Sequence, residues 1–286
     1  MSYPLRSTMR LLGTGALAVA ATLAACSDNG NATEPAGPQP VALRFAAQVN
    51  GQAFSCTRSY PSVGTTNSTI QPLDFRFYVH NVRLVTRSGQ EVPVTMPDNL
   101  WQRSGVALLD FENQTGTCTG GTADTNAIVS GTVPAGDYTR VRFTLGLPFA
   151  LNHQDAATAP APFNYTSLWW NWAAGYKFAR LDFASTGQPQ GWFIHLGSTG
   201  CNAAAGNQSP TTCTEPNRVE VTLDNFDVAR NVIVADVGRV VAQNNVDVNA
   251  GGARGCMSGL TDPECPTVLS AFGIAAGSTQ RFFSMR

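Results

Sequence analysis

The sequence predicts an all-β fold: an antiparallel β-sandwich or irregular barrel with long, disulfide-clipped loops. Short runs rich in β-branched and aromatic residues recur along the chain, many alternating apolar with polar positions. Gly, Pro, Asn and Asp punctuate the gaps, and "VPAGDY" is a turn between two such runs. No amphipathic stretch of ten or more residues stands out before the C-terminal third, and there is no fixed-period repeat.

Taken in order, the strand runs are "VALRFAAQV", "DFRFYVHNVRLV", "YTRVRFTLGL", "YKFARLDF", "GWFIHLGS", "RVEVTLDNFDV" and "NVIVADV". Two of them carry a histidine. In "GWFIHLGS" the alternation puts Phe193 and His195 on one face and Trp192, Ile194 and Leu196 on the other, so His195 should be half-buried and in need of a partner. Around His80 the apolar phase changes, from Phe75, Phe77 and Val79 to Val82 and Leu84, which marks a bulge or a strand buried on both faces.

Ahead of the first run lies export sequence. "MSYPLRSTMR" carries two arginines and no acid, and "LLGTGALAVAATLA" is an apolar run too short to span a bilayer, which takes about 20 residues. Residues 1–25 therefore read as a signal peptide. The small-residue site before Cys26 is similar to a bacterial lipobox, which implies lipidation of Cys26, and Ser27 after it implies outer-membrane sorting with a periplasm-facing domain. Residues 26–40, rich in Pro, Gly and Asn, read as a flexible tether, and 41–286 as a single β domain. Loss of Arg6 and Arg10 leaves 16 basic against 19 acidic residues, net −3, which excludes a strongly basic, nucleic-acid-binding surface.

The six remaining cysteines suit an oxidising compartment. Cys201 with Cys213 and Cys256 with Cys265 are close in sequence within loop-like segments, and elimination pairs Cys56 with Cys118. Zinc is disfavoured because no C-x-x-C occurs and no cysteine neighbours a histidine. With thiols oxidised, His80, His153 and His195 are the main ligands left, a set that suits copper first. "DVNAGG" from Asp247 resembles a calcium loop without its closing Glu and is discounted.

Catalytic patterns are scarce. There is no G-x-S-x-G, H-E-x-x-H or P-loop, and His195 with Ser198 is not a triad. Asp110 and Glu112 share a strand face and read as a solvated rim. A non-enzymatic binding protein is expected.

The ordered motifs "FSCTRSYPSVG", "PLDFRFYVHNVRLV", "WQRSGVALLDFEN", "TLGLPFALNHQDAA", "WWNWAAGYKFARLD" and "FIHLGSTGC" resemble the MbnP-like family, also called the metallo-mystery-pair four-Cys proteins, over roughly residues 41 to 230. The resemblance implies an exported copper-binding protein paired with a di-haem, cytochrome c peroxidase-like partner of the MbnH type. It implies His80, His153 and His195 as copper ligands, and a tryptophan oxidised to kynurenine by the partner. Trp101 is the first candidate for that tryptophan, with Trp170 and Trp172 the alternatives. The four-Cys label falls on Cys56, Cys118, Cys201 and Cys213, leaving Cys256 and Cys265 as an added clip. A rival reading is a carbohydrate-binding or adhesin-like lipoprotein, with the tryptophan cluster as a sugar platform.

Overall fold

The computed structural model describes residues 37–171, 173–202 and 210–286. The signal, Cys26 and most of the tether lie outside the described residues, as does Trp172.

The strand Ser68–Thr86 is the spine of the domain. It pairs antiparallel with Tyr138–Leu145 on one side and with Ala179–Ser185 on the other. Val219–Asp224 extends the sheet beyond the first, and Trp192–Leu196 beyond the second. Shorter strands, Val106–Asp110 among them, also pair with the spine, giving a ten-stranded sheet. A second sheet of five strands is built on Gln39–Val49, which pairs with Ile128–Val133 and Ile233–Asp236; Phe283–Met285 pairs with the latter.

The two sheets enclose an aromatic core. Phe75 and Phe77 from the spine and Phe143 from Tyr138–Leu145 meet Phe45, Phe282 and Phe283, with ring centroids 5.0–6.3 Å apart and mostly edge-to-face. Such pairs add about 0.5–1.5 kcal/mol each beyond area burial. The all-β sandwich is thus the observed class. It departs from uniform antiparallel pairing twice. Gln39–Val49 runs parallel to Ile233–Asp236, and Trp192–Leu196 runs parallel to Gly255–Cys256. Parallel neighbours need a long crossover, and the connections here supply it.

The phase change at His80 is a bulge. Pairing with Tyr138–Leu145 slips between His80 and Arg83, and Asn81 sits at φ 52°, a left-handed conformation that asparagine tolerates. All three predicted disulfides form: Cys56–Cys118, Cys201–Cys213 and Cys256–Cys265. The longest described helix, Cys265–Phe272, opens with Pro266 and ends on Gly273 at φ 83°.

Candidate functional site

Trp192–Leu196 alternates as its sequence requires: Trp192, Ile194 and Leu196 are buried, while Phe193 and His195 face away, half-buried. Cross-strand register then aligns Asp110, Arg76, Arg180 and His195 in one row over four strands, with Asp74 opposite Asp182 in the row beside it. The side chains form a continuous ionic ladder. Arg76 Nε donates to Asp74 at 2.8 Å, Arg180 reaches Asp74 at 3.2 Å and Asp182 at 2.7 Å, and His195 Nε2 lies 3.0 Å from Asp182 Oδ1.

Asp110 and Glu112 correct the sequence reading. Both are fully buried, as are Asp74, Arg76 and Asp182, so they are no solvated rim. The loop after Asp110 folds back over the sheet, and the Thr122 amide donates to Glu112 Oε1 at 2.6 Å. Lys177, the chain's only lysine, joins the cover through Nζ to the Ser167 carbonyl at 2.8 Å. Burial, helped by Arg180, pushes the Lys177 amine down to about 8. Burial likewise pushes the Asp110 carboxyl up to about 8, against the pull of Arg76 and with the push of Glu112 and Asp74. Burial alone would raise Asp182 too, but His195 and Arg180 outweigh it and hold that carboxyl below its usual range.

Hydrogen bonds fix which imidazole nitrogens keep a lone pair. A carboxylate can only accept, so a neutral His195 carries its proton on Nε2 and leaves Nδ1 as the donor atom for a metal. His80 Nδ1 lies 2.8 Å from the Gly146 carbonyl, so its proton is on Nδ1 and Nε2 is the basic atom. Burial lowers the His80 pKa, the Gly146 bond opposes this and Arg218 adds to it, so neutral imidazole is favoured.

The register keeps His80 and His195 apart. His195 stands across from Arg180 and thence Arg76, four residues along the spine from His80. Four residues at about 3.3 Å and two strand spacings of about 4.8 Å put their Cα atoms roughly 16 Å apart, too far to share one ion in this arrangement.

His153 follows the one-turn helix Phe149–Asn152. The Tyr176 amide donates to Asn152 Oδ1, which fixes the side-chain amide so that Nδ2 faces His153 Nε2 at 3.3 Å. The same Nε2 lies 3.8 Å from Cys213 Sγ. Among the described residues, His153, Cys201 and Cys213 form the one group of three metal-ligating side chains whose ligand atoms all lie within 4.8 Å of one another. No spacing in the sequence brings His153 to the Cys201–Cys213 hairpin, since the histidine lies in a separate part of the chain.

An open groove of about 520 Å3 is lined by Trp170, Ser198, Thr199, Cys201 and Met257 among others. The Trp170 ring centroid is 6.4 Å from that of His195. The ring also packs against Gly197, where an added Cβ would meet it at 2.4 Å, so glycine there is a requirement of close approach. Trp101 lies elsewhere. Its ring stacks on Tyr165 at 6.2 Å, in a shallow groove beside the exposed Leu100. Trp169 is half-buried, with Nε1 lacking a hydrogen-bond partner among the described residues.

The MbnP family model matches residues 38–258. This chain belongs to the MbnP family. The match reaches past the resemblance noted at residues 41 to 230 and takes in Cys256. The solved structure of MbnP from Methylosinus trichosporium is similar to this chain with a TM-score of 0.79 and 29% identity, covering 87% of this chain and 98% of that one. No curated protein matches the chain in sequence.

Proposed function

We propose that the chain is an exported, lipid-anchored copper-binding protein of the bacterial outer membrane, facing the periplasm, and that it is oxidised by a di-haem MbnH-type partner without catalysing a reaction of its own. Family membership supports this reading, and one local observation carries it: an imidazole held by a buried carboxylate beside an indole at an open groove. Copper fits the donors in kind. His80 and His195 each hydrogen-bond through one ring nitrogen and leave the other for a ligand, the arrangement that orients metal-binding imidazoles. His195, beside Trp170, and His153, beside the Cys201–Cys213 pair, are the leading ligands, with His80 a separate candidate across the sheet. Bound copper would supply redox chemistry next to the groove.

Trp170 becomes the first candidate for oxidation to kynurenine because it adjoins His195, ahead of Trp101 and Trp172. An indole converted in this way gains an oxygen and loses a carbon, a mass change that peptide mapping localises to one residue. The test is copper titration of the disulfide-intact protein and of His80→Ala, His153→Ala and His195→Ala. His195→Ala should weaken binding by about 10- to 100-fold; unchanged affinity in all three variants would refute the reading.

A sugar platform is the second reading, favoured by Trp170 and Asn171 in an open groove. It requires oligosaccharide binding that Trp170→Ala abolishes and copper does not affect.

A further inference from the structure

Two of the three disulfides are sealed in the core: Cys56, Cys118, Cys256 and Cys265 are all buried. The third, Cys201–Cys213, is half-buried, and Cys201 lines the open groove. Its cysteines face each other across the short hairpin of Thr199–Cys201 and Cys213–Glu215. The hairpin has its own hydrogen bonds. The Asn202 amide donates to the Thr212 carbonyl at 3.0 Å, and Asn202 Oδ1 accepts from the Thr211 and Thr212 amides at 3.0 Å each. Opening the S–S bond therefore leaves the two sulfurs opposite one another.

We infer that Cys201–Cys213 is a redox gate on a second metal site, and that its reduced form, with His153, binds a soft d10 cation of the Cu(I) or Zn(II) class. A dithiol reductant delivers two electrons and two protons to the disulfide, yielding two thiols here and a disulfide on the reductant. The cation then displaces the two thiol protons and is held by two thiolates and one imidazole nitrogen. The spacing suits it. A tetrahedral ion with metal–sulfur bonds of about 2.3 Å and metal–nitrogen bonds of about 2.0 Å sets N and S about 3.5 Å apart. His153 Nε2 already stands 3.8 Å from Cys213 Sγ, and all three ligand atoms lie within 4.8 Å. Met257 lines the same groove and offers a thioether as a further soft donor, which favours Cu(I) over Zn(II). In the oxidised protein the sulfurs are spent on each other, so the site exists only after reduction.

The experiment uses the full folded chain. Brief treatment with a water-soluble phosphine, followed by alkylation and peptide mass mapping, should label Cys201 and Cys213 first. Cd(II), Zn(II) and Cu(I) are then titrated into oxidised and reduced protein, reading thiolate-to-metal charge-transfer absorbance and stoichiometry by native mass spectrometry. One additional ion per chain on reduction, with a charge-transfer band absent from the oxidised chain, is expected. His153→Ala should weaken it by about 10-fold or more, and Cys213→Ser should abolish the band while near-UV circular dichroism stays native. Prior labelling of another cysteine pair, or equal affinity in His153→Ala, overturns the inference. Copper bound by the oxidised protein belongs to the preceding proposal, so the two readings fail separately.

Discussion

Replacing Asp110 by Asn should invert its effect on stability between mildly acidic and alkaline pH. Asp110 is fully buried, its Oδ2 has no hydrogen-bond partner, and Glu112 and Asp74 add negative charge nearby. Its folded pKa of about 8 stands well above the usual unfolded value of about 3.9. The sign follows from proton counting. Below pH 4 both states hold the proton; between 4 and 8 the folded state keeps it and the unfolded state releases it, so stability falls as pH rises. Each pH unit in that window costs about 1.4 kcal/mol, which amounts to about 3–4 kcal/mol from pH 5 to pH 8. Asn has no proton to lose and removes that slope. Urea unfolding of both proteins at pH 5, 6, 7 and 8 should therefore give curves that converge or cross, with Asp110→Asn gaining on the parent by about 1 kcal/mol or more per unit. Parallel stability curves across that range would refute an uncharged, desolvated Asp110.

Two further outcomes bear on the same framework. Asp182→Asn removes a buried carboxylate that serves both Arg180 and His195, leaving Arg180 only Asp74 at 3.2 Å among its buried partners; a stability loss of about 3 kcal/mol is expected in urea unfolding. Removing Cys56–Cys118 should lower the unfolding free energy more than removing Cys256–Cys265, because they close segments of 62 and 9 residues; loop entropy gives about 4 against about 2.7 kcal/mol, checked by calorimetry of the paired Cys→Ser variants.

The sequence carried what is local. Alternation along "GWFIHLGS" placed His195 on the half-buried face, the apolar phase slip at His80 marked a bulge, and short spacings paired Cys201 with Cys213 and Cys256 with Cys265. What failed was anything that depends on what covers a face. Asp74 and Arg76, like Arg180 and Asp182, alternate with apolar residues as a solvated strand face would, and only the loops folded over them turn that face into a buried ladder. The approach of His153 to the Cys201–Cys213 pair was equally hidden, because the histidine lies about 50 and 60 residues before the two cysteines in the chain.

The parallel pairing of Gln39–Val49 with Ile233–Asp236, and the antiparallel pairing of the latter with Phe283–Met285, tie the first strand of the domain to its last residues. Two of the six core phenylalanines, Phe45 and Phe283, are mounted on that sheet. The N-terminal half of the first strand finds its partner in Ile128–Val133, but its C-terminal half cannot pair with Ile233–Asp236 until most of the chain has been made. Contacts so distant in sequence are slow to form, so the order of the strands delays the completion of the fold until its last strands are in place.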